Sequence, residues 1–387
     1  MQKTQVEVHK LSWGAEMLTI AGIDPDNKGG AGWLNKIIAG LLIFVPIAFI
    51  AEFAHLPGTW IFILCALAIM PLAKVLGTAT EELAARAGAG VGGLLNATFG
   101  NAVELIIAFF ALQKGLTEVV KASITGSIIG NILFVLGLSI LLGGARRDKQ
   151  EFNRMGASAS ATQMTVGVIG LIAPAAFFYT SPGLAESSDT LESLSLLVSA
   201  ILILSYAAQL LFSLRTHAQL YSEEEEEAMH GPVWPVRKSL LVLGGATVIV
   251  GFLSEFLVGS LEELGNQFNL TDLFIGVILV AIIGNAAEHL TAVTVAMKGK
   301  MNLALGIALG SSLQIALFVA PLLVFIGFIM GGASRITLLF NPFELAAIIV
   351  SVVIVNLVTN DGESNWFEGL QLLAVYAILA VAFFLHP

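Results

Sequence analysis

Apolar residues in this chain gather into long runs that are separated by short links carrying glycine or charge. A helix that crosses a membrane needs about 20 mostly apolar residues, and eleven runs approach that length. The pattern predicts an all-α polytopic membrane protein. The spans lie near 37–54, 59–78, 92–113, 118–143, 162–181, 190–214, 234–258, 271–297, 302–329, 341–358 and 366–385.

The composition supports a membrane protein and limits the classes of ligand that it could bind. The chain is 57% hydrophobic and 12% charged, whereas a soluble domain is about 25% charged. Its net charge of −10 argues against a nucleic-acid partner and favours cationic ligands. Cys65 is the single cysteine, which excludes an intrachain disulfide and any metal site built on several cysteines.

The distribution of basic residues predicts the orientation. Lys and Arg concentrate in cytoplasmic links, and with the N-terminus inside, only Lys114, Lys121 and Arg335 of the 18 basic residues fall outside. An odd number of spans then puts the C-terminus outside. If the first span stands alone, the remaining ten divide five and five. Because five is odd, the second half is inverted relative to the first, as in many secondary transporters.

One polar motif occurs twice within the apolar runs. The sequence Gly-Asn-Ala-Val-Glu at 100–104 recurs 184 residues later as Gly-Asn-Ala-Ala-Glu at 284–288. Gly126-Ser127 and Gly310-Ser311 continue the match in the same register. A carboxylate inside a membrane span is costly and is usually functional. An inverted repeat brings equivalent motifs together near the middle of the bilayer, so Glu104 and Glu288 are expected to face each other.

The residues around these glutamates predict a site built of oxygen ligands. Asn101 and Glu104 are three apart and share a helix face, as do Asn285 and Glu288. The next span of each half adds further polar residues, namely Ser127 and Asn131 in the first half, and Ser311 and Gln314 in the second. Carboxylate, amide and hydroxyl oxygens without cysteine suit Ca²⁺, which takes six to eight oxygens. His289 is expected to be a packed or hydrogen-bonded residue rather than a ligand.

Charge balance at such a pair predicts coupling between two ions. Two facing carboxylates cannot both stay ionised cheaply in a low-dielectric site, so without a metal one or both hold a proton. A divalent cation neutralises both and displaces those protons. One site that holds either Ca²⁺ or protons would act as an antiporter, with both ions as transported species and no cofactor.

Other acidic residues are candidates for collecting cations. Glu81 and Glu82 lie at the inner end of the second span, in Thr-Glu-Glu-Leu at 80–83, which is similar to Leu-Glu-Glu-Leu at 261–264. For Glu262 and Glu263 the alternative interpretation is that they are ordinary acidic residues at the membrane interface. The link between the halves contains Glu223, Glu224, Glu225, Glu226 and Glu227. This run is either a solvated linker or a helix that attracts cations at the cytoplasmic mouth.

These motifs resemble a known family. Gly-Asn-Ala-Val-Glu-Leu-Ile at 100–106 and Gly-Asn-Ala-Ala-Glu-His at 284–289 are similar to the two α-repeats of the cation/proton exchangers in the calcium/cation antiporter superfamily. The similarity extends from about 59 to 385. It implies an N-terminal cytoplasmic segment with the first transmembrane helix (1–58), a first five-helix repeat (59–215), an acidic linker (216–233) and a second, inverted five-helix repeat (234–387).

The resemblance also implies an activity. Glu104 and Glu288 would be the Ca²⁺/H⁺ carboxylates, lined by the polar residues named above, and Glu81 with the acidic run would form a cytoplasmic collecting surface. The expected function is Ca²⁺ export from the cytosol in exchange for H⁺, in a prokaryotic inner membrane, by a transporter and not an enzyme. A Na⁺-coupled exchanger of the same fold and, less favoured, a cation channel are the alternatives. The lipid bilayer is the expected surrounding, and a homo-oligomer is left open.

Overall fold

The computed structural model describes residues 32–181, 188–217 and 234–386, which are mostly helical. The helices up to residue 217 are α1 (Gly32–Leu41), α2 (Phe44–Phe53), α3 (Gly58–Phe99), α4 (Ala102–Gln113), α5 (Thr117–Ile129), α6 (Leu136–Gly144), α7 (Arg154–Thr180) and α8 (Ser188–Leu211). The later ones are α9 (Val236–Gly259), α10 (Leu261–Phe268), α11 (Asp272–Phe274), α12 (Ala281–Gly284), α13 (Ala286–Met297), α14 (Met301–Gln314), α15 (Ala320–Met330), α16 (Pro342–Val358) and α17 (Trp366–Leu385).

Short elements connect several of these helices. Turns of π-helix join α5 to α6, extend α8, join α11 to α12 and join α14 to α15; they span Gly130–Val135, Phe212–Thr216, Ile275–Val280 and Ile315–Val319. A 3₁₀ turn covers Gly332–Ser334. Two short strands, β1 (Gln150–Glu151) and β2 (Glu363–Ser364), pair antiparallel with Gln150 opposite Ser364.

The helices confirm the prediction of an all-α polytopic membrane protein. Among the described residues, eight helical stretches are long and apolar enough to cross a membrane. The stretches Asp272–Gly284 and Ala286–Met297 are apolar enough together but are bent by 61° at the break, so that they form either a broken ninth span or a re-entrant loop. Helices α4 and α16 are apolar but shorter. The number of eleven spans stays a prediction.

The second and third predicted spans are not separated by a loop. Helix α3 runs without interruption from Gly58 to Phe99, through residues 79–91, which the hydropathy pattern treated as a link. That stretch carries three charged residues, but it is rich in alanine, which favours helix. The real interruption lies at Gly100 and Asn101, inside the predicted third span. The boundary predicted from hydropathy was therefore wrong, because polarity and helix formation are independent properties.

The duplicated motifs lie at the centre of the bundle, and the first span lies at its edge. In the most apolar window of Thr117–Gly144, 83% of the residues are buried, against 11% for Lys36–Phe53. The first span contacts the rest through α3 and through Phe49, whose ring meets Phe252 and Phe256 of α9 edge-on. The repeats around the site would thus be packed mainly by contacts between themselves.

Glycines allow the two repeats to cross closely beside the site. A β-carbon added at Gly126 of α5 would lie 2.0 Å from the carbonyl oxygen of Val277. One added at Gly276 would lie 2.4 Å from the Ala122 β-carbon. Small residues at such crossings let helix backbones approach within a membrane. This close approach brings Ser127, next to Gly126, against the second repeat.

Candidate cation-binding site

Each glutamate of the duplicated motif follows a break in a helix. Asn101 separates α3 from α4 with φ −100° and ψ 24°, and Asn285 separates α12 from α13 with φ −87° and ψ 7°. These angles belong to the bridge region rather than to the helix. Glu104 and Glu288 then lie in the first turn of the new helix. The positive end of the helix dipole favours a carboxylate there.

The two carboxylates lie at the contact between the repeats. A β-carbon added at Gly284, in the break of the second repeat, would lie 3.1 Å from Cγ and 3.4 Å from Oε1 of Glu104. Glu288 accepts a hydrogen bond from Ser311. In both glutamates Oε2 is buried without a hydrogen-bond partner among the described residues. A buried carboxylate oxygen of this kind is suited to a cation or a proton, because leaving it unsatisfied is costly.

The two asparagines at the breaks bind across the interface in a reciprocal way. Asn101 donates from Nδ2 to Oε1 of Gln314 in the second repeat at 2.5 Å. Asn285 donates from Nδ2 to Oγ of Ser127 in the first repeat at 2.8 Å. Both asparagines are fully buried. Each break is therefore tied to the second helix after the other break, α14 or α5, and this orients the first turns that carry the glutamates.

Asn131 connects the site to His289. Its Nδ2 donates to Oδ1 of Asn285 at 3.1 Å and to Oγ of Ser311 at 2.9 Å. Its oxygen therefore faces Nε2 of His289 at 3.1 Å, and that nitrogen must carry the hydrogen. His289 is thus a hydrogen-bonded residue beside the site, as its position after Glu288 predicted.

A small cavity of about 20 Å³ adjoins Glu104. Its polar lining comes from Glu104, Ser123 and Ser127, and Gly284 contributes backbone. A cavity needs roughly 10–15 Å³ to hold one water molecule, so this one has room for a water molecule or an ion of similar size. Ile107 and Ile315 are among the apolar residues that close it.

The ligand set of the site is unlike that of a resident metal centre. Within the described part of the chain, no group of three or more His, Cys, Asp or Glu side chains could hold a metal ion. The site instead has two carboxylates, with amide and hydroxyl oxygens around them. Ca²⁺ accepts such mixed oxygen ligands, and Zn²⁺ prefers nitrogen and sulfur. A site with few fixed charges suits an ion that must also leave.

The structure brings most of the predicted site residues into one network. Those that belong to it are Asn101, Glu104, Ser127, Asn131, Asn285, Glu288, Ser311 and Gln314. Glu81 does not belong to it and lies exposed on α3. The acidic run at 223–227 lies outside the described residues.

Two further residues lie beside the network and were not predicted from the sequence. Ser123 lines the cavity one helical turn before Ser127, and its spacing of four residues was the available signal. Tyr206 of α8 is buried, and its hydroxyl faces Gln314. Only its occurrence as a polar aromatic residue within an apolar span could have drawn attention to it.

Known proteins are similar to this chain over most of its length. The model of the sodium/calcium exchanger protein family matches residues 57–215 and 238–385. A Ca²⁺/H⁺ antiporter of Synechocystis is 49% identical over 372 residues, covering 91% of this chain and 98% of that protein. The Ca²⁺/H⁺ antiporter ChaA of Bacillus subtilis is 44% identical over 349 residues, with 88% and 96% covered.

A solved structure extends the comparison to the fold. The structure of native YfkE superposes with a TM-score of 0.77 at 40% identity, covering 89% of this chain and all of that one. The family model matches two segments, and each contains one copy of the duplicated motif. The chain belongs to the sodium/calcium exchanger protein family, as a secondary transporter and not an enzyme.

Proposed function

We propose that the chain exports Ca²⁺ from the cytosol in exchange for H⁺, by alternating access to a site that contains Glu104 and Glu288. The observation that carries the proposal is the pair of buried carboxylate oxygens, one from each repeat, that have no hydrogen-bond partner among the described residues. The names of the bacterial relatives support the choice of ions.

Exclusive occupation of the site would couple the two ions. Ca²⁺ bound between the carboxylates neutralises both charges, and protons do the same when Ca²⁺ leaves. An empty, doubly charged site is the costly state in a low-dielectric interior, so a return without either ion is disfavoured. Exchange follows from this penalty alone.

The direction of transport follows from the predicted orientation. With the basic links inside, Glu81 and the run at 223–227 lie on the cytoplasmic side. Acidic groups at a mouth raise the local concentration of divalent cations. These residues would collect Ca²⁺ for the site, in a prokaryotic inner membrane with the N-terminus inside.

Inside-out vesicles test the proposal. With an acidic lumen, the wild-type chain should accumulate radiolabelled Ca²⁺, and removing the pH gradient should abolish accumulation. Glu104→Gln and Glu288→Gln should each lower the rate by more than about tenfold, since each removes a charge that binds the cation. Glu118→Gln is the matched control, because Glu118 is exposed and pairs only with Lys121 in the described contacts.

The alternatives give different results in the same vesicles. Accumulation that follows a Na⁺ gradient and ignores pH would identify a Na⁺-coupled exchanger. Flux that runs without any counter-ion would identify a channel. Normal rates in either glutamine variant would refute the assignment of the site.

A further inference from the structure

The long helices that open the two repeats, α3 and α9, hold each other at the inner end. Oε2 of Glu82, on α3, accepts the backbone N–H of Trp234 at 3.0 Å, two residues before α9 begins. Arg86, one turn later, donates from Nη2 to the carbonyl oxygen of Trp234 at 2.6 Å. Trp234 is buried, and Lys238 lies 4.2 Å from its ring centre. We name Glu82, Arg86 and Trp234 the inner clasp.

A related contact lies at the outer end, where residues of the second repeat lie against the start of α3. Glu263, on α10 directly after α9, lies against Gly58, the first residue of α3. A β-carbon added at Gly58 would lie 2.7 Å from Oε2 and 3.1 Å from Cβ of Glu263. Thr59 donates a hydrogen bond to Gln267, one turn after Glu263. We name Gly58, Thr59, Glu263 and Gln267 the outer clasp.

The two clasps are equivalent in sequence. Glu82 and Glu263 are the second acids of the similar tetrapeptides at 80–83 and 261–264, and Arg86 and Gln267 each follow four residues later. A side-chain pair with this spacing lies on one face of a helix. In the first repeat this pair binds the backbone of Trp234, just before α9 starts. In the second repeat it contacts the first two residues of α3.

We propose that the inner and outer clasps hold α3 and α9 in a fixed register throughout the exchange cycle, so that Glu82 and Glu263 are positioning residues and not cation-capturing carboxylates. The proposal rests on the proposed exchange function. A carboxylate that accepts a backbone N–H, or covers a helix start, fixes the position of that start. Because α3 leads directly to the break at Asn101, its register also sets the position of Glu104.

Replacing Glu82 separates the two roles. Glu82→Gln keeps an oxygen that accepts the Trp234 N–H, whereas Glu82→Ala removes it. A clasp predicts near wild-type exchange for the glutamine variant. For the alanine variant it predicts a maximal rate that falls about tenfold, the change expected from losing one partly buried hydrogen bond to a carboxylate, with an unchanged half-saturating Ca²⁺ concentration. Equal increases of that concentration in both variants would show capture of cations and overturn the proposal.

A disulfide across the outer clasp tests whether the helices stay together. In a Cys65→Ala background, Gly58→Cys and Glu263→Cys would place β-carbons 3.1 Å apart, so the helix ends need to separate by only about 0.5 Å to reach the spacing of a disulfide. If the clasp persists through the cycle, the oxidised protein should exchange Ca²⁺ as fast as the reduced protein. Inhibition by oxidation that dithiothreitol reverses would show that the ends separate, and would overturn the proposal. The double variant Gly58→Cys with Glu262→Cys is the control, because it moves the second cysteine by one residue, away from the position that lies against Gly58.

Thermal unfolding keeps the test independent of the transported ions. If the wild-type chain showed no proton-dependent Ca²⁺ flux, the proposed function would fail by itself. The clasps would then still predict a lower unfolding midpoint for Glu82→Ala and Glu263→Ala than for Glu82→Gln and Glu262→Ala. Equal midpoints in all four variants would overturn the clasps whatever the ions are.

Discussion

Gly126 offers a sharp test of how the crossing of the repeats supports the site. An added β-carbon would lie 2.0 Å from the carbonyl oxygen of Val277 and 2.6 Å from its Cα. Backbone lies on both sides of this contact, so no change of rotamer relieves it. Gly126→Ala must push the two segments apart by roughly 1 Å, in an interior packed too closely to absorb it. The hydrogen bond of 2.8 Å from Asn285 to the neighbouring Ser127 would then be lost.

The expected magnitude follows from three contributions. Overpacking in a close-packed interior costs about 1–3 kcal/mol. Losing a buried hydrogen bond adds about 1–3 kcal/mol, because its donor is left without a partner. Alanine instead of glycine within a helix returns about 1 kcal/mol. Gly126→Ala should therefore destabilise the protein by about 1–5 kcal/mol.

The repeat supplies a matched control. Gly310 is the equivalent of Gly126 in the second repeat, but a β-carbon there would meet no atom within 4 Å. Gly310→Ala should unfold at or slightly above the wild-type temperature and should exchange Ca²⁺ normally. Gly126→Ala should unfold earlier and lose most of its exchange. Thermal unfolding in detergent and Ca²⁺ flux in vesicles measure both. Equal behaviour of the two variants would refute the argument from close approach.

Further predictions follow from the site and its surroundings. Gly284→Ala should raise the half-saturating Ca²⁺ concentration more than it lowers stability, because its β-carbon would lie 3.1 Å from Glu104; Ca²⁺-dependent flux and thermal unfolding compare the two effects. Asn131→Ala should reduce exchange about tenfold or more by releasing His289 and the other repeat, measured as initial flux. Replacing the glutamates at 223–227 by glutamine should weaken Ca²⁺ uptake at low ionic strength and leave it unchanged at high salt. If two protons exchange for each Ca²⁺, no net charge crosses the membrane, and the rate of Ca²⁺ flux should not change with an imposed membrane potential. A third proton would leave one charge uncompensated, which is worth about 2.3 kcal/mol per 100 mV, and the flux would then depend on the potential.

The composition of the site could be predicted because membranes make polar residues conspicuous. Glu104 and Glu288 stand in apolar sequence, where a carboxylate is costly without a use. Their duplication with Asn101 and Asn285 then predicts that they meet, and the reciprocal hydrogen bonds across the repeats agree with that prediction. No comparable signal marks polar residues near the membrane surface, and for that reason the contact between Glu82 and Trp234 could not be predicted.

The geometry of the helices could not be predicted in the same way. A register of 184 residues places Ile315, not Gln314, opposite Asn131. In the structure Asn131 lies inside the π-helical turn Gly130–Val135, whereas Gln314 directly precedes the turn Ile315–Val319. A π-helical turn depends on the packing around it and leaves no clear trace in hydropathy. Both side chains nevertheless reach the network, because the turns lie at almost the same level of their repeats.

Reciprocal contact between the repeats explains why the chain keeps two copies of one motif. Asn101 binds the second repeat and Asn285 binds the first, and Glu104 lies against the break that precedes Glu288. In lipid an unpaired buried polar group costs several kcal/mol, and each half receives part of the hydrogen bonding of its asparagine from the other half. The two halves are therefore held together by the same groups that would bind the transported ions. Displacement of any helix that carries these groups must alter the site, and this is the property that an exchanger needs.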